Sequence, residues 1–154
     1  MDKRFMEMAI KLATESVENG GGPFGAVVVK NGEIIAARAN SVTLDNDPTA
    51  HAEVAAIREA CSKLNTFSLE GCEIYASCEP CPMCLGAIYW AGIERIYYAA
   101  TREDAANVGF DDSMIYDQIT LHPMDRSIQG VRLECDTQRT PFEYWNVKSD
   151  KTEY

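Results

Sequence analysis

The first third of the chain is predicted to form one helix followed by a pair of strands. Apolar residues recur at helical spacing over residues 3 to 18, at Phe5, Met8, Ala9, Leu12 and Val17. The glycine-rich run Asn19 to Pro23 ends this helix. Apolar residues from Phe24 to Val29 predict a strand, and Asn31-Gly32 predicts a hairpin turn into a second strand, Glu33 to Ala39. The unbroken apolar run of the first strand is typical of a strand covered on both faces.

The middle of the chain has the pattern of helix, strand, helix and strand. We expect the first of these helices to have Asp47 as its N-cap and Pro48 at its first helical position. Its buried stripe consists of Ile57, Ala60, Cys61 and Leu64. Strands are predicted at Cys72 to Ser77 and Arg95 to Ala100, on either side of a helix from Pro82 to about Ala91 that Gly92 closes. This is a βαβ unit, so its two strands should be parallel and joined by a right-handed crossover.

The pattern weakens after residue 100. A short helix is expected at Asp104 to Val108, ended by Gly109, and a turn carrying two carboxylates at Phe110 to Ser113. A fifth strand is predicted from the alternation of Val131, Leu133 and Cys135, and a last helix from Pro141 to about Lys148. The sum predicts an α/β fold, a three-layer α/β/α sandwich with a mixed, about five-stranded sheet, in which residues 1–154 form a single domain.

Composition and charge narrow the class of protein. The apolar fraction of 46% and the charged fraction of 25% are ordinary for a globular protein, and neither a signal peptide nor a membrane span is expected from the apolar runs. The net charge of -10, from 24 acidic and 14 basic residues, disfavours a nucleic acid as substrate. The six cysteines are expected to be reduced thiols in a cytoplasmic protein.

Two short motifs carry candidate metal chemistry. Pro80-Cys81-Pro82-Met83-Cys84 places two cysteines three residues apart at the start of a helix, so both sulfurs can reach one ion. Free N–H groups at that helix end favour the thiolate over the thiol. The other motif, Pro48 to Glu53, contains His51 and Glu53, which are two residues apart and share a site only if it lies beyond the helix end.

The number of ligands indicates a catalytic rather than a structural zinc site. His51, Cys81 and Cys84 are three ligands, which leaves one position of tetrahedral zinc for water. Glu53 is then free to take a proton from that water and to deliver it to a ring nitrogen and a leaving amine. Histidine-x-glutamate followed by Pro-Cys-x-x-Cys is also the signature of zinc-dependent nucleobase deaminases.

Other interpretations of the same residues stay open at this point. Cys-x-x-Cys alone also occurs in redox pairs and in structural zinc knuckles. Cys78 lies three residues before Cys81, so it is an alternative ligand to His51 or the fourth ligand of a closed site. Its position at the end of a strand favours a structural role.

The motifs resemble the cytidine-deaminase-like superfamily over nearly the whole chain. The segments around His51 and Cys81 resemble both bacterial guanine deaminases and tRNA adenosine deaminases. Three further stretches resemble guanine deaminases: Gly21 to Ala26, Gly109 to Ser113 and Glu153-Tyr154. The basic C-terminal helix expected of a tRNA-editing enzyme is absent from the sequence. The resemblance implies hydrolytic deamination of guanine to xanthine and ammonia, with Zn2+ as cofactor.

The resemblance also implies roles for individual residues. His51, Cys81 and Cys84 would hold zinc and Glu53 would shuttle protons. The substrate-binding residues would be Asn40, Asp112, Phe24, Ala52, Trp90 and Tyr154. It further implies a homodimer with exchanged C-terminal segments, in which Tyr154 closes the partner's active site and Trp90 helps to line it.

Each substrate contact has a plainer alternative. Asn40 and the Asp111-Asp112 pair can be turn or cap residues, and chemistry alone does not decide which aspartate faces the site. Phe24 and Trp90 can be core residues, and Tyr154 can be a frayed end. Rival functions are deamination of guanosine, cytosine or adenosine in tRNA, and a zinc-stabilised binding module with no catalytic role.

Overall fold

The structure, a computed structural model, describes residues 1–153 and divides the chain into two compact units, residues 1–112 and 113–154. The first unit contains helices α1 (Lys3–Glu18), α2 (Val42–Asp45), α3 (Ala52–Leu64), α4 (Pro82–Trp90) and α5 (Arg102–Ala106). Its strands are β1 (Gly25–Lys30), β2 (Glu33–Ala39), β3 (Cys72–Cys78) and β4 (Arg95–Ala100). None of the described helices is both long enough and apolar enough to cross a membrane.

The four strands form one mixed sheet in the order β2-β1-β3-β4. β1 is antiparallel to both β2 and β3, whereas β3 and β4 are parallel, as predicted for the βαβ unit. Asn31 and Gly32, both at positive φ, connect β1 to β2 in the predicted hairpin. The sheet therefore brings the C-terminal end of β3 next to the start of α4.

Helices cover both faces of this sheet. Val27 and Val29 of β1 pack with Phe5 and Ala9 of α1, and Tyr75 of β3 belongs to the same cluster. Ala26 and Val28, which point to the other face, pack in a second cluster with residues of α3 and α4, including Ala56, Ile57 and Ile88. The alternation confirms that β1 is buried on both sides, and the layers confirm the α/β/α architecture.

Three predictions about the first unit need correction. α1 buries Phe5, Ala9, Ala13 and Ser16, so its core stripe is rotated from the predicted one, and Met8 and Val17 are 38% and 54% exposed. α3 begins at Ala52 and not at Pro48, because the Asp47 carboxylate forms a local turn with Thr49. The short helix α2 was not predicted.

The second unit contains helices α6 (Ser113–Ile119) and α7 (Thr140–Val147) and a 3-10 turn at Pro123–Asp125. α7 confirms the predicted last helix, whereas α6 was not predicted. The predicted fifth strand at residues 131–135 is wrong, and the described sheet has four strands. Among the described residues no strand pairs with this segment, and Val131 and Leu133 are 63% and 79% exposed, as is Cys135.

Candidate metal centre and active site

His51 reaches the site because the chain makes a tight turn before α3. Asp47 accepts hydrogen bonds from the N–H and the hydroxyl of Thr49, at 2.8 and 2.7 Å, and Ser41 N donates to Ala50 O at 3.0 Å. These contacts hold the turn that precedes His51, and His51 is the N-cap of α3 with extended backbone angles, φ -67° and ψ 152°. His51 and Glu53 therefore both lie at the helix end, which resolves the problem of their spacing.

Cys81 and Cys84 occupy the start of α4 in the same way. Cys81 is the N-cap, Pro82 is the first helical residue, and Cys84 lies in the first turn. His51 Nδ1 is 3.5 Å from Cys81 Sγ and 3.5 Å from Cys84 Sγ. The N-termini of two helices thus meet at one point, as the sequence predicted.

The three ligand atoms have the spacing that zinc requires. They all lie within 4.8 Å of one another. A tetrahedral zinc with bonds of roughly 2.0 Å to nitrogen and 2.3 Å to sulfur has nitrogen and sulfur ligands about 3.5 Å apart. Two thiolates and one imidazole are also a ligand set that zinc favours, so His51, Cys81 and Cys84 can form a zinc site with one open position.

The two thiols are electrostatically coupled. A hydrogen bond from Cys84 lowers the pKa of Cys81 to about 4, and the same hydrogen bond raises the pKa of Cys84. One proton therefore belongs to the pair when no cation is present. A divalent cation held here would favour the thiolate form of both cysteines, because it would replace the proton as the positive charge between them.

Glu53 is buried beside these ligands, with 7% of its surface exposed. Burial raises the pKa of its carboxyl group, and the neighbouring groups that affect this pKa include Cys81, Cys84 and His51. A buried carboxylate with a raised pKa is suited to accept and return a proton near neutral pH. Glu53 is therefore a titratable group next to the three candidate ligands.

Asn40 is a buried polar residue that the sequence analysis assigned to the substrate site. It follows β2 and is 7% exposed. Its Oδ1 accepts hydrogen bonds from Gly22 N at 3.3 Å and from Val42 N at 3.2 Å. The oxygen is therefore already engaged, and the amide presents its NH2 group as a donor, which corrects the expectation that it both donates and accepts.

Phe24 and the Asp111-Asp112 pair are further residues that the sequence analysis assigned to the site. Phe24 packs edge to face on Phe110, with ring centroids 5.0 Å apart. Asp112 is half-buried, whereas Asp111 is exposed. Burial raises the pKa of Asp112, and the neighbouring charges that affect it include Arg102 and Cys81. Asp112 is therefore the less exposed carboxylate of the pair, and it lies near enough to Cys81 for that thiol to affect its pKa.

The remaining predicted residues have different environments. Ala52 is fully buried at the start of α3, where helix N–H groups have no helical acceptor. Trp90 is 74% exposed at the end of α4, and Tyr154 lies outside the described residues. Cys78 lies outside the group of ligand atoms formed by His51, Cys81 and Cys84. Its thiol donates a hydrogen bond to Thr101 O at 3.4 Å.

Two residues near the site were missed in the sequence. Phe110 precedes the aspartate pair directly, and an aromatic residue next to a charged turn was the available signal. Ser16 is buried and donates from Oγ to Asn40 O at 3.1 Å. Its signal was a polar residue in line with Phe5, Ala9 and Ala13 on the buried side of α1.

The sheet lies between helices, and two helix ends bring together three candidate zinc ligands and a buried carboxylate. Three protein ligands leave one position of a tetrahedral zinc open. This combination defines a zinc-dependent deaminase domain. The sequence profile for the cytidine and deoxycytidylate deaminase zinc-binding region matches residues 1–100, so the chain belongs to this deaminase family.

Among its relatives is the guanine deaminase of Bacillus subtilis (strain 168), which is 52% identical over 151 residues, 97% of each chain. An X-ray structure of guanine deaminase from the same organism superposes with a TM-score of 0.97 at 51% identity, and the match covers 100% of this chain and 99% of that one. The tRNA-specific adenosine deaminase of Aquifex aeolicus (strain VF5) is 49% identical, over 62% of this chain and 64% of its own.

Proposed function

We propose that the chain is a zinc-dependent aminohydrolase that converts guanine and water into xanthine and ammonia. The observation that carries this proposal is the extent of the similarity. The guanine deaminase of Bacillus subtilis matches 97% of the chain, whereas the tRNA-specific adenosine deaminase of Aquifex aeolicus matches 62%. The net charge of -10 also favours a small-molecule substrate over tRNA.

Glu53 carries out the proton transfers in this mechanism. His51, Cys81 and Cys84 would hold zinc, which would supply the Lewis acidity that makes water a nucleophile near neutral pH. Glu53 accepts a proton from that water and passes it to a ring nitrogen of the substrate. A C–O bond forms at the carbon that carries the amino group. Glu53 then takes the second proton from the new hydroxyl group and delivers it to the amine as the C–N bond breaks, which leaves the carbonyl group of xanthine and releases ammonia.

The residues around the ligands determine which carbon is presented. The NH2 group of Asn40 donates to a lone pair on the purine, and the Asp112 carboxylate accepts from amino or ring N–H groups. Phe24, held by Phe110, packs on the face of the ring. The N-terminus of α3 at Ala52 offers further backbone donors.

The test is ammonia release by the purified, zinc-loaded protein from guanine, guanosine, adenine and cytosine, measured separately. Release from guanine alone is expected. Release from another base keeps the zinc chemistry and overturns the assignment of the pocket. Release from none of them, with release from a tRNA substrate instead, overturns the proposed function.

We also propose that the enzyme is a cytoplasmic homodimer in which residues 113–154 of one copy contribute to the other copy's site. The first unit has an apolar groove of about 550 Å3, lined by residues of α1, β4 and α5, which include Ile10, Val17 and Ala105, and by Val108 just after α5. In the second unit, Phe142 and Val147 of α7 are 74% and 80% exposed. A second copy offers apolar cover for both surfaces.

Complementation between two inactive variants tests the exchange. Glu53→Gln protein keeps Tyr154, and protein that lacks Tyr154 keeps Glu53. After the two proteins are mixed and re-associated, one of the two sites in each mixed dimer receives both residues. Turnover should therefore reach about a quarter of the wild-type value if the subunits pair at random, and about half if all dimers are mixed. Turnover that stays at the level of the separate variants, while sedimentation shows mixed dimers, contradicts the exchange.

A further inference from the structure

The orientation of the Asn40 amide is set by the backbone around it. Gly22 N and Val42 N both point at the same side-chain atom, at 3.3 and 3.2 Å. Because both groups are donors, the atom that faces them must be the carbonyl oxygen. The NH2 group therefore points away from these two donors, in a side chain that is only 7% exposed.

Ser16 fixes the main chain of the same residue. Its buried hydroxyl donates to Asn40 O at 3.1 Å across a separation of 24 residues, and Asn40 N donates to Phe24 O at 2.9 Å. Ser16 itself is 5% exposed and lies among the buried residues of α1. A buried hydroxyl is retained at a core position only where it has a partner, and here that partner is Asn40.

Gly21 and Gly22 allow this arrangement because they have no side chain. A Cβ at Gly21 would lie 2.4 Å from Ser16 Oγ and 2.8 Å from Asn40 O. A Cβ at Gly22 would lie 3.1 Å from Asn40 Oδ1. The two glycines thus let Ser16 and the amide approach the chain closely, and Gly21 N donates to Ser16 O at 2.8 Å to complete the set.

We infer that Ser16, Gly21 and Gly22 are positioning residues that lock the Asn40 amide with its NH2 group toward the substrate. The lock makes Asn40 a donor only, so the site selects a ring that carries a lone pair at this point. Without the lock the amide can rotate and present its oxygen to the same ring atom, which repels it. This inference rests on the proposed function, in which Asn40 contacts the purine.

The first test is a pair of double-mutant cycles with guanine as substrate. Ser16→Ala should lower kcat/KM by roughly three- to tenfold, mainly through KM, as expected for one buried hydrogen bond. Gly22→Ala should lower it by about tenfold or more, because its methyl group contacts the amide oxygen. In an Asn40→Ala background, each change should alter kcat/KM by less than about twofold.

The matched control is Ser62→Ala, which removes an exposed hydroxyl from α3 and should leave kcat/KM unchanged. Equal losses from Ser16→Ala in the wild-type and Asn40→Ala backgrounds would overturn the inference. Such a result means that Ser16 acts through the general stability of the fold and not through the amide.

A second measurement is independent of turnover. The side-chain NH2 resonances of Asn40, assigned by their absence from Asn40→Ala protein, should shift or broaden in Ser16→Ala and Gly22→Ala and stay unchanged in Ser62→Ala. Unchanged Asn40 resonances in Ser16→Ala overturn the lock. If the wild-type protein releases no ammonia from guanine, the proposed function fails, and these resonances still decide whether the lock exists.

Discussion

The two units, residues 1–112 and residues 113–153, differ in the fraction of their side chains that is buried. All residues that are buried among those described lie in the first unit, where Val27, Val28 and Ile74 have essentially no exposed surface. In the second unit, Phe142, Leu133 and Val147 are 74%, 79% and 80% exposed. The difference shows that an apolar pattern leads to burial within one copy only where the same chain supplies both sides of the contact.

The largest difference that we expect between substitutions in the two units is in zinc binding and turnover. Cys81→Ala removes one of three ligands and should abolish both zinc binding and ammonia release, because the other two ligands alone hold the ion weakly. Cys135→Ala removes an exposed thiol from the second unit and should change neither. Zinc content by atomic emission and turnover measure both variants, and an active, metal-free Cys81→Ala protein would refute the site.

The next effect concerns turnover without loss of metal. Glu53→Gln should lower kcat by roughly 10²- to 10⁴-fold, since an amide cannot relay the proton, while the zinc content stays at one ion per chain as set by the three ligands. Glu134→Gln, in an exposed ion pair with Arg132, is the matched change in the second unit and should retain wild-type kcat. A Glu53→Gln enzyme with near-normal turnover removes Glu53 from the mechanism.

Matched leucine deletions test the contrast in burial directly. Leu69 is fully buried, so Leu69→Ala should lower the free energy of unfolding by about 2–5 kcal/mol. Leu133 is 79% exposed, so Leu133→Ala should change it by less than about 0.5 kcal/mol in dilute protein. Urea unfolding at several protein concentrations measures both. A cost of Leu133→Ala that grows with concentration locates Leu133 in the dimer interface.

The smallest expected effect compares two helix starts. Thr101 caps α5 through a reciprocal pair of hydrogen bonds with Asp104, whereas α7 begins without a side-chain cap. Thr101→Ala should lower Tm by roughly 2–4 °C, because it leaves a helical N–H without its acceptor. Thr140→Ala, at the first residue of α7, should leave Tm within about 1 °C by calorimetry. Equal shifts would mean that the cap contributes no stability.

The sequence predicts the first unit well because its signals are local. Asn31-Gly32 specifies its own hairpin, and the apolar run of β1 indicates burial on two faces without reference to any other segment. The zinc ligands are equally local, since the spacing of Cys81 and Cys84 and the nearness of His51 to a helix start are properties of short stretches.

The errors occur where a distant or competing partner decides the outcome. Asp47 was predicted to cap the helix, but its side chain accepts hydrogen bonds from Thr49 instead. The helix begins at Ala52, five residues after Asp47. The donor-only state of Asn40 depends on Gly22 and Val42, which the residue's own chemistry does not reveal. Alternation at residues 131–135 indicates an extended segment, but a strand also needs a neighbour to bond with.

The position of the ligands at two helix ends has a consequence for the unfolded chain. His51 and Cys81 are 30 residues apart in sequence, so one ion that binds both closes a loop that contains all of α3 and β3. A covalent link across such a loop removes chain entropy worth on the order of 3–4 kcal/mol. Zinc therefore serves as a removable crosslink, and a chelator should open this loop to proteases well below the temperature at which the loaded protein melts.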